Sequence, residues 1–176
     1  FMAYYGLCLR ALTGAAGAVE VFEASSANFE LVRKLPQINN FNNVRVHHAA
    51  IGAENCEIEF AGGEGGSSGP AEKWSGSARP LTEKVRCHGI DECMDTFNLG
   101  MPNFNKLDLE TAEKHALHNG QRVFGEGRPN VVLEIHLTQD GSVAEAVVNW
   151  MTKYEYKVDL IWQGRELVSV DQLIEL

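Results

Sequence analysis

No apolar run in this sequence approaches the ~20 residues that a membrane-spanning helix requires. No basic stretch followed by an apolar one reads as a secretory signal. A cytoplasmic protein with no membrane partner is therefore expected. Cysteine is scarce. The four residues, Cys8, Cys56, Cys87 and Cys93, include no Cys-x-x-Cys, so a disulfide framework has no basis and a reducing compartment is the natural setting. His88 lies between Cys87 and Cys93, but that spacing fits no common zinc pattern. These cysteines read as reduced, partly buried thiols, and no metal is assigned. Positive charge is also short. Fifteen Lys and Arg stand against 24 Asp and Glu, a formal net charge of -9. Binding a phosphate backbone needs a basic face, so nucleic acid is not an expected partner.

What is present is the patterning of one globular domain over residues 1–176, with 44% hydrophobic residues and neither repeat nor linker. Residues 4–12 read as a short apolar helix and 18–23 as a strand ending on an acid. Ser25 or Ser26 caps a helix over 27–39, with Phe29, Leu31, Val32 and Leu35 on one broad face. Pro36 bends it. Residues 44–48 and 57–61 are strands, and 62–80 form a Gly, Ser, Glu and Pro loop. A strand over 84–90 leads into a helix over 91–97. Residues 103–108 are a strand, after which Leu109, Ala112, Ala116, Leu117, Val123 and Phe124 recur at helical spacing. Arg128-Pro129 breaks the chain before a buried strand, 131–135. Residues 142–151 are helical, with Val143, Ala146, Val147 and Trp150 on one stripe. A hairpin over 156–170 closes the chain. Strands alternating with helices predict an α/β fold with a mostly parallel sheet and a C-terminal antiparallel hairpin.

Three segments carry the candidate chemistry. Glu23 ends the first strand, where an acid can accept hydrogen bonds from both hydroxyls of a ribose. The same position suits a solvated or helix-capping acid. Asp108 ends a strand where a helix follows, the edge at which open α/β sheets bind ligands. Glu110 and Glu113 come next, three apart, and a helix N-terminus attracts acids whatever its function. His115 and His118 extend the cluster. The third segment is Glu134-Ile135-His136, an acid and an imidazole at the end of an apolar strand. Glu134 interrupts that apolar run, so it is either partnered or at a functional edge. His136 suits general-base work because its ordinary pKa lies near neutrality. The glycines from Gly62 to Gly69 do not form a phosphate loop, since they lack the Gly-Lys-Ser/Thr ending and carry an acid.

Taken together, these segments resemble the FkbM-type methyltransferase family. Phe22-Glu23 with Asn28 is similar to a strand ending in the family's Ala-Phe-Glu-Pro motif, with Ala24 in place of the proline. Ala49-Ala50-Ile51-Gly52 and Gly89-Ile90-Asp91-Glu92 resemble later family segments. Lys106-Leu107-Asp108-Leu109-Glu110-Thr111-Ala112-Glu113 is similar to Lys-Ile-Asp-Val-Glu-Gly-Ala-Glu, with Thr111 in place of the glycine. Arg128-Pro129, an apolar strand and Glu134-Ile135-His136 complete the pattern.

The resemblance implies a Rossmann-like sheet and methyl transfer from S-adenosylmethionine to a hydroxyl of a sugar or small natural product. It implies that Glu23 holds the cofactor ribose, that Ala50 lines the adenine pocket, and that Asp108 sits at the cofactor-substrate boundary. Glu110, Glu113, Glu134 and His136 would face the reaction, with Asp108 or His136 as base. The family's first strand and its Asp/Glu-x-Gly-x-x-x-Gly loop would precede residue 3. The chain is therefore expected to be truncated relative to the family and to lack the central strand, between those ending at Glu23 and Asp108. A gap there exposes two edges and favours association as a homo-oligomer. The absent loop and Thr111 also suit a non-catalytic interaction module of the same fold. A metal-dependent hydrolase on Asp108, Glu113, His115 and His136 is a third reading.

Overall fold

A computed structural model describes residues 4–61, 69–71, 82–110, 112–136, 141–158, 161–163 and 166–168. Helix α1 (Tyr4–Thr13) packs on strand β1 (Val19–Glu23), which pairs in parallel with β2 (Val44–His48), from Val19 opposite Val44 to Glu23 opposite His48. The connection between them holds α2 (Ser26–Val32) and α3 (Leu35–Ile38). One helix over 27–39 is thus two. Pro36 clashes with the carbonyl four residues back, so it sits in the first turn of a new helix, where its missing N–H costs nothing. Of the two serines, Ser25 is the cap: its Oγ accepts the Asn28 N–H at 3.4 Å. Ser25→Ala should cost about 1 kcal/mol of stability, read as a lower urea midpoint with an unchanged slope.

Strand β3 (Ala50–Ile51) runs parallel to β6 (Thr82–His88), and β6 is antiparallel to β4 (Cys56–Ala61). The far end of β4 meets a two-residue strand, β5 (Gly69–Pro70), inside the region read as loop. Apart from the buried Ala71, the other residues of 62–80 lie outside those described. Helix α4 (Ile90–Thr96) follows.

Strand β7 (Phe104–Leu107) pairs in parallel with β8 (Asn130–Leu133). Helix α5 (Glu113–His118) and a π-helical turn (Val123–Gly127) connect them, and α6 (Ser142–Lys153) follows. Two expectations change here. The helix expected from Leu109 begins at Glu113, because Glu110 has a φ of 52°, in the left-handed region that no L-residue helix continues through. Strand β8 is not buried throughout. Val131 and Leu133 pack on the main core, while Val132 between them is 46% exposed, since successive side chains point to opposite faces; Ile135, past the end of the strand, is 42% exposed. The C-terminal hairpin is β9 (Ile161–Gln163) with β10 (Glu166–Val168), antiparallel as expected.

The fold is a mixed α/β arrangement in which β1–β2, β3–β6 and β7–β8 are parallel pairs. Among the described strands these do not merge into one sheet: β1–β2 and β7–β8 are separate. The main core gathers Ile90, Met94 and Leu107 with residues of α5, the π-helical turn and α6. Asp91 ties α4 to that turn, its carboxylate accepting the Arg122 and Val123 N–H groups at 2.7 and 2.9 Å. No helix among the described residues is long and apolar enough to cross a membrane.

Candidate active site

The carboxyl ends of β7 and β8 gather the candidate residues. Lys106 lies in β7 and Asp108 just past its end, while Glu134 and His136 follow the end of β8. The Glu134 N–H donates to the Leu107 carbonyl at 2.9 Å, which carries the parallel register past the strand ends and sets Asp108 beside Glu134. The Lys106 ammonium lies 3.5 Å from Asp108 Oδ2 and 3.4 Å from Glu134 Oε2, and donates to its neighbour's carbonyl at Leu107. Its side chain is only 10% exposed, so it meets these carboxylates with little screening. It also sits over the ring of Tyr5 in α1, 5.0 Å from the centroid.

His136 is anchored from behind. Its Nδ1 lies 2.8 Å from Oε1 of Glu113, which is fully buried in the first turn of α5. Its Nε2 is 3.7 Å from Glu110 Oε1 and 3.8 Å from Glu134 Oε1. Asp108, Glu134 and His136 could together surround a cation, and the Lys106 ammonium already lies against both carboxylates. His115 and His118 are exposed on α5 and outside this group.

A second locus lies at the end of β1. Glu23 Oε1 accepts the Ser25 N–H at 2.9 Å, so this acid also serves the start of α2. Burial pushes its carboxyl above the ordinary value of 4.5, opposed by hydrogen bonds from the Ser25 N–H and the Asn28 side chain. The Glu23 carbonyl accepts the Ala49 N–H at 3.1 Å, which brings β3 and Ala50 alongside. Ala50 is buried with Phe60, Val85 and Cys87, and Ala24 packs on that cluster. Helix α1 touches both loci, packing on β1 while Tyr5 meets Lys106.

The description "Methyltransferase FkbM domain" belongs to a family model that matches residues 2–158. The chain belongs to the FkbM methyltransferase family. A crystal structure of methyltransferase FkbM from Methylobacillus flagellatus KT is similar at 18% identity with a TM-score of 0.62, covering 92% of this chain. The chain spans 38% of the length of that structure. No curated protein matches the chain significantly.

In this FkbM-family chain the two loci divide the residues singled out from sequence. Glu23 and Ala50 come together at one. Asp108, Glu110, Glu113, Glu134 and His136 come together at the other. Thr111 lies outside the described residues. Lys106 had no role assigned from sequence, although it stands only two residues before Asp108. Cys87 is buried beside Ala50, and Cys56 packs against the same cluster. Burial pushes Cys87 up to about 11 and Cys93 to about 12, so both stay protonated thiols at neutral pH.

Proposed function

We propose that this chain is a methyltransferase domain that uses S-adenosylmethionine to methylate a hydroxyl oxygen of a sugar or small natural product. The observation that carries the reading is the convergence of Lys106, Asp108, Glu134 and His136 at the carboxyl ends of two parallel strands, with His136 anchored by a buried acid. The reading makes β1–β2 and β7–β8 two parts of one Rossmann-like sheet.

The residues at the end of β1 fit the cofactor. A carboxylate offers about four lone-pair sites, so Glu23 can serve α2 and still accept from ribose hydroxyls. Ala50 is small and apolar, the kind of side chain an adenine ring would pack against. When bound, the cofactor supplies a methyl group already activated on a sulfonium. What remains for the chain is to align the acceptor oxygen and take its proton. His136 Nε2 takes that proton. Asp108 and Glu134, neutralised in part by Lys106, hold neighbouring hydroxyls of the acceptor by accepting their hydrogen bonds. The direct test is transfer of a labelled methyl group from S-adenosylmethionine across a panel of sugar and natural-product alcohols. Label in a methyl ether supports the reading, and label in none of the alcohols, with transfer to amine or carbon acceptors assayed alongside them, contradicts it.

Glu23→Gln should weaken S-adenosylmethionine binding by about 10–100-fold, because it removes charge-assisted hydrogen bonds to the ribose. Calorimetric titration of both proteins checks this. The pH dependence has a definite sign. Folded Glu23 keeps its proton to higher pH than an ordinary glutamate, so its contribution to stability falls as pH rises from 4.5 through the raised value. Ribose binding needs the ionised form. Cofactor affinity should therefore weaken on acidification at a pH above 4.5, and the Gln variant should lack that step.

A further inference from the structure

We infer that Glu113 is a positioning residue that fixes the tautomer of His136, placing the ring proton on Nδ1 and leaving the Nε2 lone pair as the proton acceptor of the site. The use of that lone pair rests on the methyl-transfer reading; the tautomer does not. Glu113 is 0% exposed, and a carboxylate removed from water needs a partner close by. His136 Nδ1, at 2.8 Å, is such a partner. A carboxylate only accepts, so the hydrogen in this bond comes from Nδ1. A neutral imidazole carries one proton, and Nε2 is then bare.

The geometry around Nε2 gives that lone pair a purpose. Glu110 and Glu134 approach it at 3.7 and 3.8 Å, on the side where Asp108 and Lys106 also lie. Two anions facing a lone pair offer it no hydrogen bond, yet they stabilise the ring once Nε2 gains a proton. In the transfer the acceptor O–H bond would break and its proton bond to Nε2, as the oxygen's electron pair takes the methyl carbon and the carbon–sulfur bond breaks to leave a neutral thioether. The imidazolium so formed would be held by Glu113, Glu110 and Glu134, which lie around the ring. The proton then passes to water. Glu110 reaches this place through its left-handed backbone, a conformation that an L-residue keeps only where the surroundings enforce it.

Imidazole nitrogen shifts of His136, read by NMR on the full chain at a pH where the ring is neutral, test the inference. The wild-type protein should show Nδ1–H as the dominant form. Glu113→Leu, similar in volume but unable to accept, should move the tautomer ratio by roughly tenfold or more toward Nε2–H. Glu113→Gln keeps a carbonyl acceptor and should restore Nδ1–H. Methyl transfer should follow the tautomer, with kcat lowered in the Leu variant, recovered in the Gln variant, and the acceptor KM little changed. A dominant Nε2–H in the wild-type protein overturns the inference, and so does a Leu variant that keeps Nδ1–H. The wild-type spectrum decides by itself if the Leu variant does not fold. A chain with Nδ1–H that binds no S-adenosylmethionine contradicts the proposed function and leaves the positioning role standing.

Discussion

Phe124→Ala is expected to lower stability by about 3–5 kcal/mol, the usual cost of emptying a fully buried aromatic site. Phe124 is 0% exposed in the π-helical turn. Its ring meets Trp150 edge to face at 5.0 Å, and Tyr154 and Tyr156 lie 6.3 and 6.4 Å away. Such pairs add about 0.5–1.5 kcal/mol beyond the area they bury. The neighbours cannot close the space cheaply. Trp150 and Tyr154 belong to α6 or its end, and the Tyr156 hydroxyl is tied to the Pro129 carbonyl at 2.9 Å. Total stabilities of domains run at about 5–15 kcal/mol, so the loss is a large share. Gly120 marks the same tight fit, since a Cβ there would lie 2.4 Å from the Phe124 ring. Urea unfolding measures the loss. A loss under about 1.5 kcal/mol would mean that the core relaxes around the gap and that this cluster does not hold α5 and α6 behind the site.

His136→Ala should reduce kcat for methyl transfer by about 10²–10⁴-fold, the range that a positioned general base contributes. Its effect on S-adenosylmethionine affinity should be small, because the cofactor contacts are assigned to the end of β1. Asp108→Asn should act differently. It removes one of two anions beside Lys106 and should raise the acceptor KM more than it lowers kcat. Initial rates with labelled cofactor separate the two. A His136→Ala rate within about threefold of wild type would remove His136 from the proton path.

The strand ends were legible in the sequence because their signal is local. Val19 to Glu23 alternates into a strand, Ser25 supplies a cap, and Asp108 follows a strand before a polar turn. Each needs only neighbouring residues to be read. The start of α5 was not legible. Apolar spacing continues through Leu109 and Ala112, and only the left-handed backbone at Glu110 interrupts it. The half-exposed face of β8 was hidden for a related reason: Val131 to Leu133 is apolar throughout, and which face is covered depends on what packs there. The bond between Glu113 and His136 spans 23 positions and joins a helix start to a strand end. Proximity of that kind comes from the parallel pairing of β7 and β8, which spacing along the chain does not reveal. The two pairs Lys106/Asp108 and Glu134/His136 stand between these cases, since each pair is close along the chain but nothing there aligns one with the other.

Calorimetric titration of this chain with S-adenosylmethionine, repeated on Glu23→Gln, tests the central claim most directly. Saturable one-to-one binding to the wild-type chain is expected, weakened about 10–100-fold by the substitution. Absence of binding, or equal affinity in the two proteins, would contradict the assignment of the end of β1 as the cofactor site.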